Sequence, residues 1–125
     1  MAVAEVYCAE LEKILNTIHQ NFSVENEAEI TLEANPEDLT PTYLAAIKSL
    51  GVNRLSIGIQ SFREENLRFL NRNHSSTQAI TCISQAQDIG IDNISIDLIY
   101  GIPDNDLHDL ALDIQKAVDT KVNHI

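Results

Sequence analysis

Gly51-Val52-Asn53-Arg54-Leu55-Ser56-Ile57 returns 39 residues later as Gly90-Ile91-Asp92-Asn93-Ile94-Ser95-Ile96. Each copy places a glycine where a preceding helix would end, then a short polar turn, then alternating aliphatic residues that enter a strand. Val122-Asn123-His124-Ile125 looks like the beginning of a third copy. A helix stop, a tight loop and a strand entry, repeated, describe a β/α unit, and strands alternating with helices pair in parallel through right-handed crossovers.

The rest of the chain follows that plan. From Val6 to Phe22 the apolar residues Tyr7, Leu11, Ile14, Leu15 and Ile18 form a helical stripe. Alternation from Ala28 to Glu33 predicts a first strand. Thr40-Pro41 reads as an N-cap with proline at the first helical position, opening a helix with Leu44, Ile47 and Leu50 on one side. Arg54 to Gln60 is the second strand, with Leu55, Ile57 and Ile59 on one face, and a short helix covers Glu64 to Leu70. Ser75 and Gln78 have the spacing of a capping box ahead of a helix that buries Ala79, Ile83 and Ala86. Ile94, Ile96 and Leu98 mark the third strand. Leu107, Leu110, Ala111, Ile114, Ala117 and Val118 predict the stripe of the last helix.

The second faces of the strands decide between α/β architectures. Central strands of a doubly wound sheet are apolar on both faces because helices cover both. Here one face is aliphatic, whereas Thr31 and Glu33, then Ser56, Gly58 and Gln60, then Ser95 and Asp97 occupy the other. One face meets helices and the other lines something polar. The sequence therefore predicts α/β architecture with parallel β/α units forming part of an open (β/α) TIM-like barrel, rather than a flavodoxin-like sheet.

Composition narrows the function classes. A chain of 125 residues suits one domain, 1–125, with 44% hydrophobic and 22% charged residues. Eight basic against nineteen acidic residues leave a charge of −11, which repels phosphate backbones and anionic lipid, so nucleic acid and membrane surfaces are poor partners. No apolar run is long enough for a membrane-spanning segment. Glu5, Glu10 and Glu12 inside a helical pattern argue against a secretory signal. Cys8 and Cys82 are too few and too far apart for a metal cluster or a disulfide framework, and a reducing, cytoplasmic compartment is the default expectation. Cys82, in a helix, reads as a small buried hydrophobe. His19, His74, His108 and His124 have no metal-ligand spacing; His74 alone lies near the polar strand ends, where a loop hydrogen bond is the simplest role.

Glu33, Gln60 and Asp97 each lie at or near the C-terminal end of a strand, where barrels and open α/β sheets hold their ligands. Two carboxylates and an amide without a paired His, Ser or Cys suit hydrogen bonding to the hydroxyls and amines of a small polar ligand better than nucleophilic catalysis. Arg72, in Asn71-Arg72-Asn73-His74, is placed either to hold a ligand carboxylate in a bidentate pair or to make a surface ion pair. The sequence leaves both open.

Four motifs in order, EITLEANPEDLT, RLSIGIQSF, LNRNHSSTQA and NISIDLIYGIP, resemble the radical S-adenosylmethionine (SAM) proteins around oxygen-independent coproporphyrinogen III oxidase, over residues 28–103. That resemblance implies a partial (β/α) barrel in which the residues matching Glu33, Gln60, Arg72 and Asp97 contact S-adenosylmethionine. It also implies a [4Fe–4S] cluster in the full-length protein, chemistry on a tetrapyrrole, and heme as a further candidate ligand. GIQSF followed by NRNH is closer to the family's heme chaperone branch than to the oxidase branch, where an aspartate usually stands in place of Ser61; oxidase and chaperone both stay open. The family's C-x-x-x-C-x-x-C cluster loop is not among these 125 residues. On that ground the sequence reads as a central barrel fragment that by itself holds no cluster and cleaves no S-adenosylmethionine. Open strand edges predict self-association into a defined homo-oligomer, with the −11 charge opposing indiscriminate aggregation.

Overall fold

A computed structural model describes residues 3–125, with side chains described from Cys8 onward. The elements run α1 (Val3–Asn21), β1 (Thr31–Ala34), α2 (Pro41–Ser49), β2 (Arg54–Gln60), α3 (Glu64–Phe69), α4 (Ser76–Asp88), β3 (Asn93–Leu98) and α5 (Leu107–Asp119). The three strands form one parallel sheet in the order β1-β2-β3. This is the parallel β/α arrangement that the repeat predicts.

The repeat is also the register of the sheet. Arg54 pairs with Asn93, Leu55 with Ile94, Ser56 with Ser95 and Ile57 with Ile96, so residues that match in sequence lie side by side. Each turn into a strand begins on a residue with positive φ: Gly51 at 95°, Gly90 at 80° and, in the third copy, Lys121 at 59°. Glycine tolerates that conformation freely, and in Lys121 the tertiary structure imposes it on an ordinary side chain. The asparagines of the first and third copies do the same work. Asn53 Oδ1 accepts from the Ile30 amide at 2.8 Å, and Asn123 Oδ1 accepts from the Ile94 amide at 3.1 Å. Each thereby ties the start of its own strand to the preceding one. His124 continues the pattern with a parallel bridge to Ser95 on the outer edge of β3.

Local signals set the helices. Thr40 caps α2 through its side chain, Pro41 opens it, and Ser75 with Gln78 forms a complete capping box on α4. Asp106 and Asp109 form a second box at the start of α5. The helix layer packs on one face of the sheet. Leu55, Ile57, Ile59, Ile94 and Ile96 are sealed against Leu44 and Ile47 of α2, Ala79, Cys82, Ile83 and Ala86 of α4, and Ala117 of α5. Cys82 is the buried hydrophobe that its position predicts, and burial pushes its thiol pKa up to about 12. No described helix is long and apolar enough to cross a membrane.

Two predicted stripes need correction. In α1, Leu11 and Leu15 are partly covered, but Ile14 and Ile18 are exposed; the side chain of Tyr7 lies outside the described residues. In α5, Ile114 and Val118 face outward and Leu107 is 85% exposed, while Ala117 and the charged Asp113 are buried. The buried line of the helix runs through Asp113 and Ala117, and Asp113 has its partners in the turn that follows β2.

Candidate functional site

Glu33, Gln60 and Asp97 converge. Together with Ala34, Asn35, Ser56 and Gly58 they line one cavity of about 310 Å³ on the sheet face opposite the helices. The central strand makes the concavity. Ser56 and Gly58 put almost no side chain between β1 and β3, so Glu33 and Asp97 look across a gap of two strand spacings, about 10 Å. Glu33 and Asp97 are exposed to solvent and no described side chain donates to their carboxylates, which leaves both as free acceptors.

Gln60 reaches the cavity through an irregularity that alternation alone does not show. Ile57 pairs with Ile96 but Gln60 pairs with Leu98, so β2 carries one residue more than β3 across this stretch. Gln60 adopts φ 70°, a left-handed conformation uncommon for a residue with a side chain. This is a β-bulge at the ligand end of a strand, a place where bulges re-aim side chains.

The loop Asn71–His74 closes that bulge with two parallel bridges. Arg72 Nη2 donates to Asn35 Oδ1 at 2.6 Å and to the Gly58 carbonyl at 3.2 Å. His74 Nε2 meets the Ile59 carbonyl at 3.0 Å and its Nδ1 meets Glu37 Oε2 at 3.1 Å. Each bridge joins one side chain of the β1 loop to one backbone carbonyl of β2. The His74 ring is held between two oxygen atoms, one of the Glu37 carboxyl and one of the Ile59 backbone. His74 thus has more than an incidental loop hydrogen bond: it is buried and holds the bulge to the β1 loop.

Arg72 is therefore beside the cavity rather than in its lining. Among the described residues Arg72 makes no ion pair. Its Nη2 is engaged with Asn35 and Gly58, while its Nε is buried without a partner. Gly58 is what allows this approach. A Cβ there would stand 2.8 Å from Gln60 Nε2 and 3.4 Å from Arg72 Nη2.

Behind the bulge lies a polar network that the sequence pattern missed. Ser61 Oγ donates to Asp113 Oδ2 at 2.5 Å and the Phe62 amide donates to Asp113 Oδ1 at 2.9 Å. Asn66 Nδ2 and the Arg63 amide donate to Ser61 Oγ, and Asn105 bridges Asn66 and Arg63. Arg63 pairs with Asp109, and that hydrogen bond holds the Asp109 carboxyl below the ordinary range. One signal was available: Leu110, Asp113, Ile114 and Ala117 share the spacing of a single helix face, and one of the four is charged.

Among the described residues, no group of three or more His, Cys, Asp or Glu side chains comes together as a metal site, and Cys8 and Cys82 are both free. The thiolates that an iron–sulfur cluster requires are thus not provided by these residues.

An open parallel β/α sheet, clothed by helices on one face and presenting polar side chains at its strand ends on the other, is a segment of a (β/α) barrel. The sequence profile of the radical SAM superfamily matches residues 4–116, and the chain belongs to that superfamily. Within it the similarity runs to the coproporphyrinogen oxidase and heme chaperone group. The chain is 35% identical over 115 residues to the heme chaperone HemW of Buchnera aphidicola subsp. Schizaphis graminum, covering 92% of this chain and 30% of that protein. It is 30% identical over 111 residues to the oxygen-independent coproporphyrinogen III oxidase of Salmonella typhimurium, covering 89% of this chain and 24% of the oxidase. The structure of the Escherichia coli coproporphyrinogen III oxidase, a radical SAM enzyme, superimposes with a TM-score of 0.85 at 28% identity, over 93% of this chain and 27% of that one. The chain thus spans less than a third of the length of these relatives.

Proposed function

We propose that the cavity between Glu33, Gln60 and Asp97 binds S-adenosylmethionine, within a radical SAM protein of the heme chaperone type that acts in the cytoplasm. The observation that carries this reading is the convergence of three ligand-type side chains around the side-chain-poor Ser56–Gly58 stretch. Superfamily membership implies S-adenosylmethionine and a [4Fe–4S] cluster in the full-length proteins. The cavity suits the first of these. Glu33 and Asp97 offer acceptors to an ammonium group and to ribose hydroxyls, and Gln60 offers both a donor and an acceptor. Arg72, with its buried unpartnered Nε, adds positive charge beside the cavity for a ligand carboxylate. S-adenosylmethionine, when reductively cleaved, supplies a 5′-deoxyadenosyl radical. The part of these residues is to bind and orient the molecule, with Arg72 and His74 holding the walls. The cluster ligands do not come from this stretch, so no step through the cluster is assigned to it.

Ser61 favours the chaperone branch over the oxidase branch. The hydroxyl donates to the buried carboxylate of Asp113, whereas an aspartate there would set two carboxylates against each other in a buried site. The substrate or cargo follows as a tetrapyrrole, with heme carried rather than its precursor oxidised.

Isothermal titration of the chain with S-adenosylmethionine tests the cavity. Binding is expected, weakened about tenfold or more by Glu33→Gln or by Asp97→Asn, each of which removes a charged acceptor. Wild-type affinity in both variants would reject the site. Product analysis on the longer protein separates the branches: retained heme without decarboxylated porphyrin supports the chaperone, and decarboxylated product supports the oxidase.

A further inference from the structure

Asp113 is the only buried carboxylate among the described residues, 4% exposed in the middle of a helix whose apolar neighbours face solvent. Burying a carboxylate carries a desolvation cost that a leucine would avoid. Its two contacts explain why a carboxylate is there. The Phe62 amide can only donate. The Ser61 hydroxyl also has no choice, because the Arg63 amide at 3.1 Å and Asn66 Nδ2 at 3.0 Å occupy both of its lone pairs. Its hydrogen must point at residue 113. The two donors reach two different atoms of one side chain, Oδ1 and Oδ2, and only a carboxylate has an acceptor at both; an amide would present a donor at one of them and an apolar residue no acceptor.

Both donors belong to the two residues that follow Gln60, the residue held at φ 70°. The bulge is gripped from every side. His74 Nε2 and the Ser61 amide meet the Ile59 carbonyl, the Ile99 amide meets the Gln60 carbonyl, and Lys116 Nζ meets the Phe62 carbonyl at 3.2 Å. Asp113 and Lys116 both anchor the far end of the turn to α5, and Asp113 does so with two hydrogen bonds.

We propose that Asp113 is a positioning residue: it fixes the Ser61–Phe62 turn and so imposes the left-handed backbone of Gln60 that holds the Gln60 amide in the cavity wall. The consequence for ligand affinity rests on the S-adenosylmethionine reading of the cavity; the consequence for the Gln60 backbone does not.

The test compares Asp113→Asn and Ser61→Ala with Ile83→Val, a helix-layer change that costs stability without touching the turn. Solution NMR reads the φ of Gln60 through its amide–Hα coupling and cross-correlated relaxation, and titration with S-adenosylmethionine reads affinity. Asp113→Asn is expected to release Gln60 from positive φ and to weaken binding by about tenfold, the scale of one lost hydrogen bond to a charged group. Ser61→Ala, which keeps the Phe62 bond, shows a smaller displacement, and Ile83→Val leaves Gln60 unchanged. Native Gln60 shifts in folded Asp113→Asn and Ser61→Ala would overturn the proposal. So would a failure of both variants to fold, which would make the carboxylate a requirement of the fold itself. If the wild-type chain does not bind S-adenosylmethionine, the cavity reading fails and the Gln60 backbone measurement still decides the role of Asp113.

Discussion

Ile57 and Gly58 are neighbours in β2 and belong to different worlds. Ile57 points into the helix layer, where it is fully buried among branched aliphatic side chains from α2, α4 and the adjacent strands. Gly58 points the other way, into a cavity walled by carboxylates and an amide. The same strand thus separates a face that is packed for stability from a face that opens onto a polar cavity. On the helix side an empty volume is a defect; on the cavity side it is the space in which the proposed ligand would sit. Alternation with a period of two allows one short segment to serve both ends.

Four measurements sharpen or break that division. The largest contrast is chemical. Burial on the helix side pushes the Cys82 thiol up to about 12, so its thiolate population at pH 8 is about a thousandfold below that of the unfolded chain. Native-state alkylation of Cys82 should be slower than alkylation in denaturant by at least that factor, while Cys8, partly exposed on α1, reacts first. Rapid native labelling of Cys82 would show that the helix layer opens readily.

Ile57→Ala is expected to lower stability in urea titration by about 3 kcal/mol, because it removes three buried carbons and leaves a void in a packed layer. Its effect on ligand affinity, measured on the folded fraction, should be slight. Equal losses of stability and affinity would mean that the two faces are not separable.

Gly58→Ala should do the reverse. The added methyl restricts the unfolded chain and, since Gly58 does not occupy positive φ, stability should change by no more than about 1 kcal/mol in either direction. Affinity should fall, because the Gln60 amide must move to make room for the methyl and Arg72 is crowded as well. Unchanged affinity would remove Gly58 and the adjacent end of Gln60 from the site.

The smallest effect belongs to neither face. Arg63→Gln removes the partner that holds the Asp109 carboxyl low. A carboxyl depressed in the folded state contributes stability above the unfolded-state pKa and loses it as pH falls through the folded one. The wild type should therefore exceed Arg63→Gln slightly near pH 7, with the difference vanishing at pH values below the ordinary carboxylate range and shrinking in high salt.

Much of this was readable in the residues. The repeat of Gly51–Ile57 in Gly90–Ile96 is the register of β2 against β3, with each residue beside its copy. Thr40, Pro41, Ser75 and Gln78 announce their helix starts because capping is satisfied within a few residues of chain. That Glu33 and Asp97 share a face follows from strand parity and parallel pairing, both of which are properties of local pattern.

What the tertiary structure decided lies where two distant segments compete for one group. Period-two alternation cannot announce the bulge at Gln60, because an extra residue shows only against the partner strand. The hydrogen bonds of Arg72 to Asn35 and the Gly58 carbonyl exist because the fold brings the Asn71–His74 loop over the end of β2. The burial of Asp113 in α5 is decided the same way: two donors, at Ser61 and Phe62, reach its two carboxylate oxygens from across the fold. Hydrophobic period and capping are short-range and additive, so a single sequence determined the strands, the helices and the polar face. Hydrogen-bond satisfaction at buried donors is long-range and exclusive, so only the folded chain determined which side chain answers each one.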